Sequence, residues 1–319
     1  MSEWIRNKNI LITGISGFLG SNLAYKLQSL GANVTGILRD QVSFFKYGNF
    51  NIIQGQIENL DLLKRVINEY EIEICFHLAA QAIVSIWDNN PVEIFESNIK
   101  GTWNVLEACR LGNKIKAVII ASSDKAYGAQ EKLPYKEDCM LNGTHPYEVS
   151  KICTEFLVKS YNSNYGMPTG ITRCANLYGP GDRNFSRIIP GTIRSILRGE
   201  EPVIRGNGEN MRDYIYIDDA TDGYVDFAQK VFEGELSGEV INLGTGQPFN
   251  VREVVEKIIR LSSTDTNYKI IGNELSKEIM HQYVDNEKAG KLLGWFPRYS
   301  LDEGLKRSID WYASEYSFG

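Results

Sequence analysis

Three glycines set the tightest constraint on this chain. In residues 11–22, LITGISGFLGSN, Gly14, Gly17 and Gly20 fall every third residue, just after an apolar run and just before a helical pattern. KNILITG reads as a buried strand. FLGSNLAYKLQSLG carries Leu19, Leu23, Leu27 and Leu30 at helical spacing, with Gly31 as its stop. Strand, glycine loop and helix start together form a cradle for a pyrophosphate. Glycine permits close backbone approach, and the helix end offers free N–H groups and the positive end of its dipole. Gly14, Gly17, Phe18, Leu19 and Gly20 are therefore the candidates for holding a dinucleotide. The spacing is G-x-x-G-x-x-G, not the G-x-G-x-x-G of most dehydrogenases. The loop lacks the Lys-Ser/Thr ending of a P-loop. Gly17 follows Ser16 directly, which excludes a G-x-S-x-G nucleophile elbow.

Beyond the loop, strand and helix signals alternate. NVTGILR, NIIQGQI, IEICFHLAA, IKAVIIASS and TGITRCANLYG read as strands. LDLLKRVINEY reads as a helix, as does the longer IFESNIKGTWNVLEACRLG, ending at Gly112. This alternation predicts a parallel sheet covered on both faces. Right-handed crossovers make it a doubly wound α/β fold of Rossmann type. Near residue 177 the rhythm breaks into Gly/Pro-rich loops and short mixed elements. Residues 1–176 are expected to form the nucleotide-binding domain, rejoined by 214–245, and residues 177–319 mainly a smaller C-terminal lobe.

Bulk properties narrow the function classes. A net charge of −6 argues against non-specific nucleic-acid binding, though it leaves room for an anionic ligand in a local basic pocket. No apolar run nears the roughly 20 residues of a membrane helix. The N-terminus runs almost at once into a strand, so no signal peptide is expected. The five cysteines, Cys75, Cys109, Cys139, Cys153 and Cys174, are scattered and odd in number. They fit the reduced thiols of a cytoplasmic protein better than a disulfide framework. Cys75 and His77 share a strand face, but no further ligand stands at metal spacing, so no metal site is expected. In IDDATD, Asp218 or Asp219 is expected to cap a helix.

The end of the second strand, ILRD, bears on cofactor choice. An acid there serves the ribose 2′-hydroxyl of NAD, and an arginine the 2′-phosphate of NADP. Arg39 comes first and favours NADP; a one-residue shift of the strand end makes Asp40 the reader and favours NAD. Farther on, HPYEVSK sets Tyr147 and Lys151 four residues apart, which puts both on one face if the segment is helical. The pair lies one element beyond AVIIASSDKAYG, and the C-terminal end of such a strand is where a doubly wound sheet places its site. A tyrosine titrates near about 10. An ammonium and an oxidised nicotinamide beside it would favour phenolate, a base for a hydroxyl proton.

TGISGFLGS, FHLAAQ, SNIKGTWNVLEACR, ASSDKAYG, PYEVSK, TRCANLYGPGD, RDYIYIDDA and INLGTG together resemble the extended short-chain dehydrogenase/reductase superfamily, in its nucleotide-sugar epimerase and dehydratase branch. The resemblance spans almost the whole chain. It implies a Rossmann domain binding NAD or NADP, tightly held and regenerated at each turnover, and a lobe binding a nucleotide diphosphate sugar. It implies that Gln56 and Ile57 flank the adenine, that Leu78, Ala79 and Ala80 line the cofactor, and that Asn98 lies near it. Ser123 would hydrogen-bond the sugar, Tyr147 would be the redox base, and Lys151 would bind the nicotinamide ribose. Asn176, Arg187 and Arg212 resemble contacts to the substrate's diphosphate or sugar. His281 could touch a substrate phosphate or be a plain surface residue. TWNVLEACRL and KICTEFLVKSY resemble the helix pair through which this superfamily forms homodimers; by sequence they pack equally well inside a subunit.

SSDKAYG narrows the branch. Simple 4-epimerases need only the Ser/Thr, Tyr and Lys set, whereas 4,6-dehydratases add an acid here. Asp124 followed by Lys125 resembles the CDP-glucose 4,6-dehydratases. C5-inverting UDP-N-acetylglucosamine dehydratases also carry an Asp-Lys pair, with the tyrosine much closer in sequence. The resemblance implies that Tyr147 removes the C4 hydroxyl proton as C4 hydride passes to NAD(P)+. Lys125 would then take the C5 proton, and protonated Asp124 would serve the leaving C6 hydroxyl before hydride returns to C6. Lysine titrates near about 10.4, so such a base has to be brought down by burial and nearby cations. The alternatives are a 4-epimerase, a 4-keto-sugar reductase, a non-catalytic NAD(P)-binding regulator and, for Asp124 with Lys125, a loop ion pair. CDP-, GDP-, UDP- and dTDP-sugars all stay open.

Overall fold

The computed structural model describes residues 3–40, 48–82, 90–272 and 279–316. Its main sheet starts with β1 (Asn9–Thr13), β2 (Asn33–Leu38), β3 (Asn51–Gln54), β4 (Ile74–His77), β5 (Ala117–Ala121) and β6 (Thr169–Cys174). After β7 (Asn176–Tyr178), β8 (Val203–Arg205) and β9 (Met211–Tyr216), which belong to smaller sheets, β10 (Val240–Leu243) joins it. The order is β10-β6-β5-β4-β1-β2-β3, and every pairing is parallel. The chain moves outward from β1 to β3, then crosses back to lay β4 on the other side of β1. That reversal opens a crevice beyond the carboxyl ends of β1 and β4.

Alternate residues of each strand feed opposite cores. Ile10, Ile12 and Phe76 pack with Leu23, Ala24 and Leu27 of α1 (Phe18–Ser29). Leu11, Cys75, Val118 and Ile120 face the other way. There they meet α2 (Leu60–Glu69) and, beyond the short α3 (Pro91–Phe95), α4 (Gly101–Arg110) and α5 (Pro146–Tyr165). The two-sided cover explains why these strands read as continuous apolar runs. Helix ends follow local chemistry. The Asn59 side chain accepts the Leu62 N–H at 3.0 Å to start α2. His145 and Glu148 form a capping box around Pro146 to start α5, and Gly166 ends it in the left-handed region. Gly31, at φ +86°, is the stop after α1.

The long helix runs without a gap from Pro91 to Arg110, with a π turn, Glu96–Lys100, between α3 and α4 that holds Asn98 inward. Two local expectations need correction. The last strand breaks at Ala175, sending β6 into the main sheet and β7 onto β9. Neither Asp218 nor Asp219 caps a helix. β9 runs straight into α7 (Ile217–Phe232), so Tyr216 is the cap residue and the acids fall in the first turn; α6 (Ile188–Leu197) precedes both. Asp219 instead accepts the Tyr299 N–H at 3.1 Å.

The smaller sheet places β9 between β11 (Pro248–Asn250) and β13 (His281–Gln282), with β7 also on β9; β8 pairs with β12 (Lys269–Ile271). A third core joins Tyr178, Tyr214 and Tyr216 to Ile189 and Ile193 of α6, Val254 and Ile258 of α8 (Val251–Leu261), and, past α9 (Glu287–Leu293), Leu305 and Tyr312 of α10 (Leu301–Tyr316). Among the described residues no helix is long and apolar enough to cross a membrane.

One ion pair lies wholly inside the molecule. Arg173 of β6 binds both oxygens of Glu155 on α5, at 2.8 and 2.6 Å. Its other nitrogen donates to Tyr127 Oη at 2.8 Å and to the Glu137 carbonyl at 3.1 Å. Ser122 Oγ donates to Glu155 at 2.6 Å. Removing one partner of such a pair leaves a buried charge alone, which typically costs about 3–5 kcal/mol. Arg173→Met is expected to lower the unfolding free energy by that order in a urea titration. Adding Glu155→Leu is expected to recover much of the loss. A double variant no better than the single one would show that the pair is not what the single change disturbs.

Candidate active site

The crevice at β1 and β4 is closed at its base by glycine. Gly14 sits at φ +73°, and a Cβ there would lie 2.8 Å from both the Cα and the N of Ala79. A Cβ on Gly20 would lie 2.9 Å from the Gly14 carbonyl carbon. These two glycines let β1, the loop and α1 pack on one another and on the segment after β4. Only Gly17 is exposed. It is the N-cap of α1 and supplies no side-chain cap, so the first-turn N–H groups of Phe18, Leu19 and Gly20 have none. A helix start of that kind suits an anion.

The opposite wall is the segment after β4. Leu78, Ala79 and Ala80 are half-buried, and the Leu78 N–H donates to the Thr13 carbonyl at 3.2 Å. Asn98 reaches this wall from the π turn. Its Oδ1 accepts the Gln81 N–H at 2.7 Å, and its Nδ2 donates to the Gln81 carbonyl at 3.2 Å and to Ser150 Oγ at 2.9 Å. Toward the sheet edge, Gln56 is exposed, while Ile57 buries its side chain in the core under Gly101. Arg39 is the first residue after β2, and its Nε donates to Asp40 at 2.6 Å; both side chains are largely exposed.

The reactive groups come from β5 and α5. Past β5 the chain enters a 3₁₀ turn, Asp124–Tyr127, capped by Ser123, whose Oγ accepts the Lys125 N–H at 3.2 Å. Tyr147 and Lys151 occupy the buried face of α5, with the Lys151 Nζ 5.9 Å from the Tyr147 ring centre. Lys151 Nζ donates to the Ala121 carbonyl at 2.7 Å. Burial pulls Lys151 down to about 8, against the raising effect of the Glu155 carboxylate one turn along.

Tyr147 is governed by its burial. Burial pushes its phenol up to about 12. The downward pulls are a hydrogen bond with Ser123 and the charge of Arg187, while Asp124 pushes up.

Asp124 is 2% exposed. Its Oδ1 accepts from Ser123 Oγ at 3.2 Å, and its Oδ2 has no hydrogen-bond partner. Burial raises this carboxyl to about 6; the Lys125 charge opposes the rise, Asp213 adds to it, and Arg212 opposes it. Asp124 and Lys125 are thus not a hydrogen-bonded loop pair. Arg187 and Arg212 both act electrostatically on this cluster. Arg187 Nη1 also pairs with Asp182 at 3.0 Å, and Arg212 Nη1 with the Met211 carbonyl at 2.9 Å. Asn176 Nδ2 donates to the Asp213 carbonyl at 3.1 Å. His281 is exposed on β13, and only its carbonyl, accepting from Tyr135 Oη at 3.3 Å, reaches inward.

Sequence reasoning passed over two residues here. Gln282, in register with Arg212, is buried with neither amide atom hydrogen-bonded. His77, set aside as a strand residue, is hydrogen-bonded through both ring nitrogens. Nothing in local spacing marks either one, because their partners lie on other elements. Among the described residues no cluster of His, Cys, Asp or Glu could hold a metal.

Comparison with known proteins gives this arrangement its relatives. Residues 10–244 match the model of the NAD dependent epimerase/dehydratase family. The chain is 32% identical over 320 residues to the trifunctional UDP-glucose 4,6-dehydratase/UDP-4-keto-6-deoxy-D-glucose 3,5-epimerase/UDP-4-keto-L-rhamnose-reductase of Arabidopsis thaliana. The match covers 96% of this chain and 47% of that protein, so the chain spans about half that relative's length. It is 30% identical over 327 residues to the CDP-glucose 4,6-dehydratase of Salmonella typhimurium, covering 96% and 91% of the two. The crystal structure of UDP-glucuronic acid 4-epimerase from Bacillus cereus, in complex with UDP-glucuronic acid and NAD, aligns with a TM-score of 0.86 at 27% identity, over 96% of this chain and 99% of that one. The seven-stranded parallel sheet with its glycine crevice and the match over residues 10–244 agree: this chain belongs to the NAD dependent epimerase/dehydratase family.

Proposed function

We propose that this chain is a nucleotide-sugar 4,6-dehydratase, most like the CDP-glucose type, that turns an NDP-hexose into an NDP-4-keto-6-deoxyhexose with loss of water. Asp124 carries the reading. A carboxyl with one unpartnered oxygen, held by burial at about 6, is costly to keep in a core unless a ligand completes it. It is also an acid that retains part of its proton near neutrality.

The crevice suits NAD or NADP: an uncapped helix start beside Gly17 for the pyrophosphate, Leu78–Ala80 as a wall, and Lys151 for the ribose hydroxyls. The dinucleotide, when bound, supplies a reversible hydride acceptor. This chain's own residues do the rest. Tyr147, hydrogen-bonded with Ser123 and facing the Arg187 charge, takes the C4 hydroxyl proton. Lys125 takes the C5 proton once the 4-keto group has acidified it. Asp124 gives its proton to the departing C6 hydroxyl, which leaves as water, and a 5,6-double bond remains; C6 of that enone then takes back the hydride removed from C4, and Lys125 returns a proton to C5, so the cofactor would end as it began. Arg187, Arg212 and Asn176 hold the sugar diphosphate.

A 4-epimerase is the second reading. It needs only Ser123, Tyr147 and Lys151, with no acid or base at C5 and C6, and the Lys151 Nζ stands 5.9 Å from the Tyr147 ring centre. The Bacillus cereus relative is such an enzyme by name.

Two further features belong to the proposal. Trp103 on α4 and Phe156 on α5 are 43% and 62% exposed on helices that pack side by side, an apolar face that suits a homodimer. Arg39, ahead of Asp40 at the end of β2, favours NADP.

Incubated with CDP-, GDP-, UDP- and dTDP-hexoses, the protein is expected to remove water from one class, seen by mass spectrometry, with no net reduced cofactor. Product that keeps its C6 hydroxyl and differs only at C4 would establish the epimerase instead. Lys125→Ala is expected to slow water loss by about 10²- to 10⁴-fold while reduced cofactor still forms on adding sugar; Tyr147→Phe suppresses both. For wild type, kcat/KM for water loss is expected to fall as pH rises through about 6, where Asp124 gives up its proton, and Asp124→Asn is expected to lack that limb. Arg39→Ala is expected to weaken NADP binding more than NAD binding in a fluorescence titration; equal losses would remove the case for NADP. Light scattering at micromolar concentration is expected to return a dimer mass, and a monomer mass would exclude the helix-pair interface.

A further inference from the structure

A buried polar chain joins the ends of β1 and β4 to the helix carrying Tyr147, and no step above uses it. Thr13 and His77 end those two strands and stand opposite each other in register. His77 is 3% exposed. Its Nδ1 lies 2.7 Å from Thr13 Oγ1, and its Nε2 lies 3.0 Å from Thr102 Oγ1.

Proton counting gives each contact a direction. Thr102 Oγ1 spends its one hydrogen on the Asn98 carbonyl at 2.5 Å, so toward the ring it can only accept, and Nε2 must carry the ring hydrogen. Thr154 gives its own hydrogen to the same carbonyl at 3.1 Å and does not change this. A neutral ring with hydrogen on Nε2 has a lone pair on Nδ1. Thr13 therefore donates to Nδ1, and its oxygen accepts the Ala79 N–H at 3.3 Å. Burial, with the Lys151 charge behind it, pushes His77 down to about 3 and keeps the ring neutral. At the far end Asn98 grips both backbone groups of Gln81 and donates to Ser150 Oγ, which donates to the Tyr147 carbonyl at 2.7 Å.

We propose that His77 is a positioning residue for the dinucleotide crevice: as a neutral Nε2–H tautomer whose contact with Thr102 orients the ring, it holds Thr13, and through Thr13 the walls at Gly14 and Ala79, in place. This rests on reading the crevice as the NAD(P) site, and it is independent of which sugar reaction follows. Both ring nitrogens are occupied, so the ring has no lone pair left for a ligand.

The bridge has two halves that substitutions separate. In His77→Asn an amide oxygen can replace Nδ1 and keep the Thr13 half. In His77→Gln an amide N–H can replace Nε2–H and keep the Thr102 half. His77→Phe keeps neither. NAD and NADP affinity is measured by calorimetry without sugar, on variants that show a cooperative thermal melt. His77→Phe and His77→Gln are expected to bind about tenfold more weakly than wild type, and His77→Asn within about threefold. Thr13→Val is expected to match His77→Gln, and the double variant to be no weaker than either. Nitrogen-15 NMR of the wild type is expected to show hydrogen on Nε2.

Wild-type affinity in any folded variant that lacks the Thr13 half overturns the proposal, as does hydrogen on Nδ1. If His77→Phe does not fold, the contrast between Asn and Gln and the Thr13→Val variant still decide. A wild type that binds the dinucleotide but leaves every sugar unchanged counts against the dehydratase reading alone. A wild type that binds no dinucleotide overturns both.

Discussion

The backbone of Gly14 and the backbone of Ala79 stand so close that a Cβ on the first would be 2.8 Å from the second. That approach is where β1 and β4 part company beyond their last paired residues, Thr13 and His77. The main sheet and the helices on both its faces converge on this point. α1 can begin at Gly17 only because Gly20 lies flat on the Gly14 carbonyl. The Ala79 wall is held because Thr13 spends its hydroxyl there, and the π turn is held because Asn98 grips Gln81. A side chain at Gly14 would have to move two strand ends at once, in an interior that packs like a molecular crystal.

Charge is concentrated on one side of that crevice. Lys151, Glu155 and Arg173 are all buried, within a helix turn and a strand of one another. Glu155 and Arg173 satisfy each other, and the pair serves as a brace: Ser122 hangs from Glu155, and Tyr127 from Arg173. The 3₁₀ turn between Ser122 and Tyr127 is thereby held at both ends, and it carries Asp124 and Lys125. Asp124 has no comparable partner, and desolvation wins over the Lys125 and Arg212 charges. In the proposed chemistry the braced turn supplies the groups that remove water, and α5 supplies those that remove the C4 proton.

Much of this was legible without coordinates. The period of apolar residues, the glycine spacing and the glycine stop at Gly31 are local signals, and they placed β1, α1, α2 and β5; the four-residue spacing of Tyr147 and Lys151 put both on a single face once the segment proved helical. Where expectation failed, a distant partner had intervened. Asp219 is drawn to the Tyr299 N–H rather than to its own helix start. The long helix is present, and the π turn inside it, which no local spacing marks, carries Asn98 to Gln81 and Ser150.

By itself, then, the sequence determined the elements whose causes lie within a few residues: strands with apolar runs, helices with caps, a glycine loop between them, and the family to which those motifs belong. Tertiary structure decided what depends on burial and on groups far apart in the chain. Asp124 is raised to about 6 because the fold removes it from water, and its Oδ2 is left without a partner. His77 has a defined tautomer only because Thr13, Thr102 and Asn98 reach it from three separate elements. Desolvation and hydrogen-bond direction are properties of surroundings, and surroundings exist only once the chain has closed on itself.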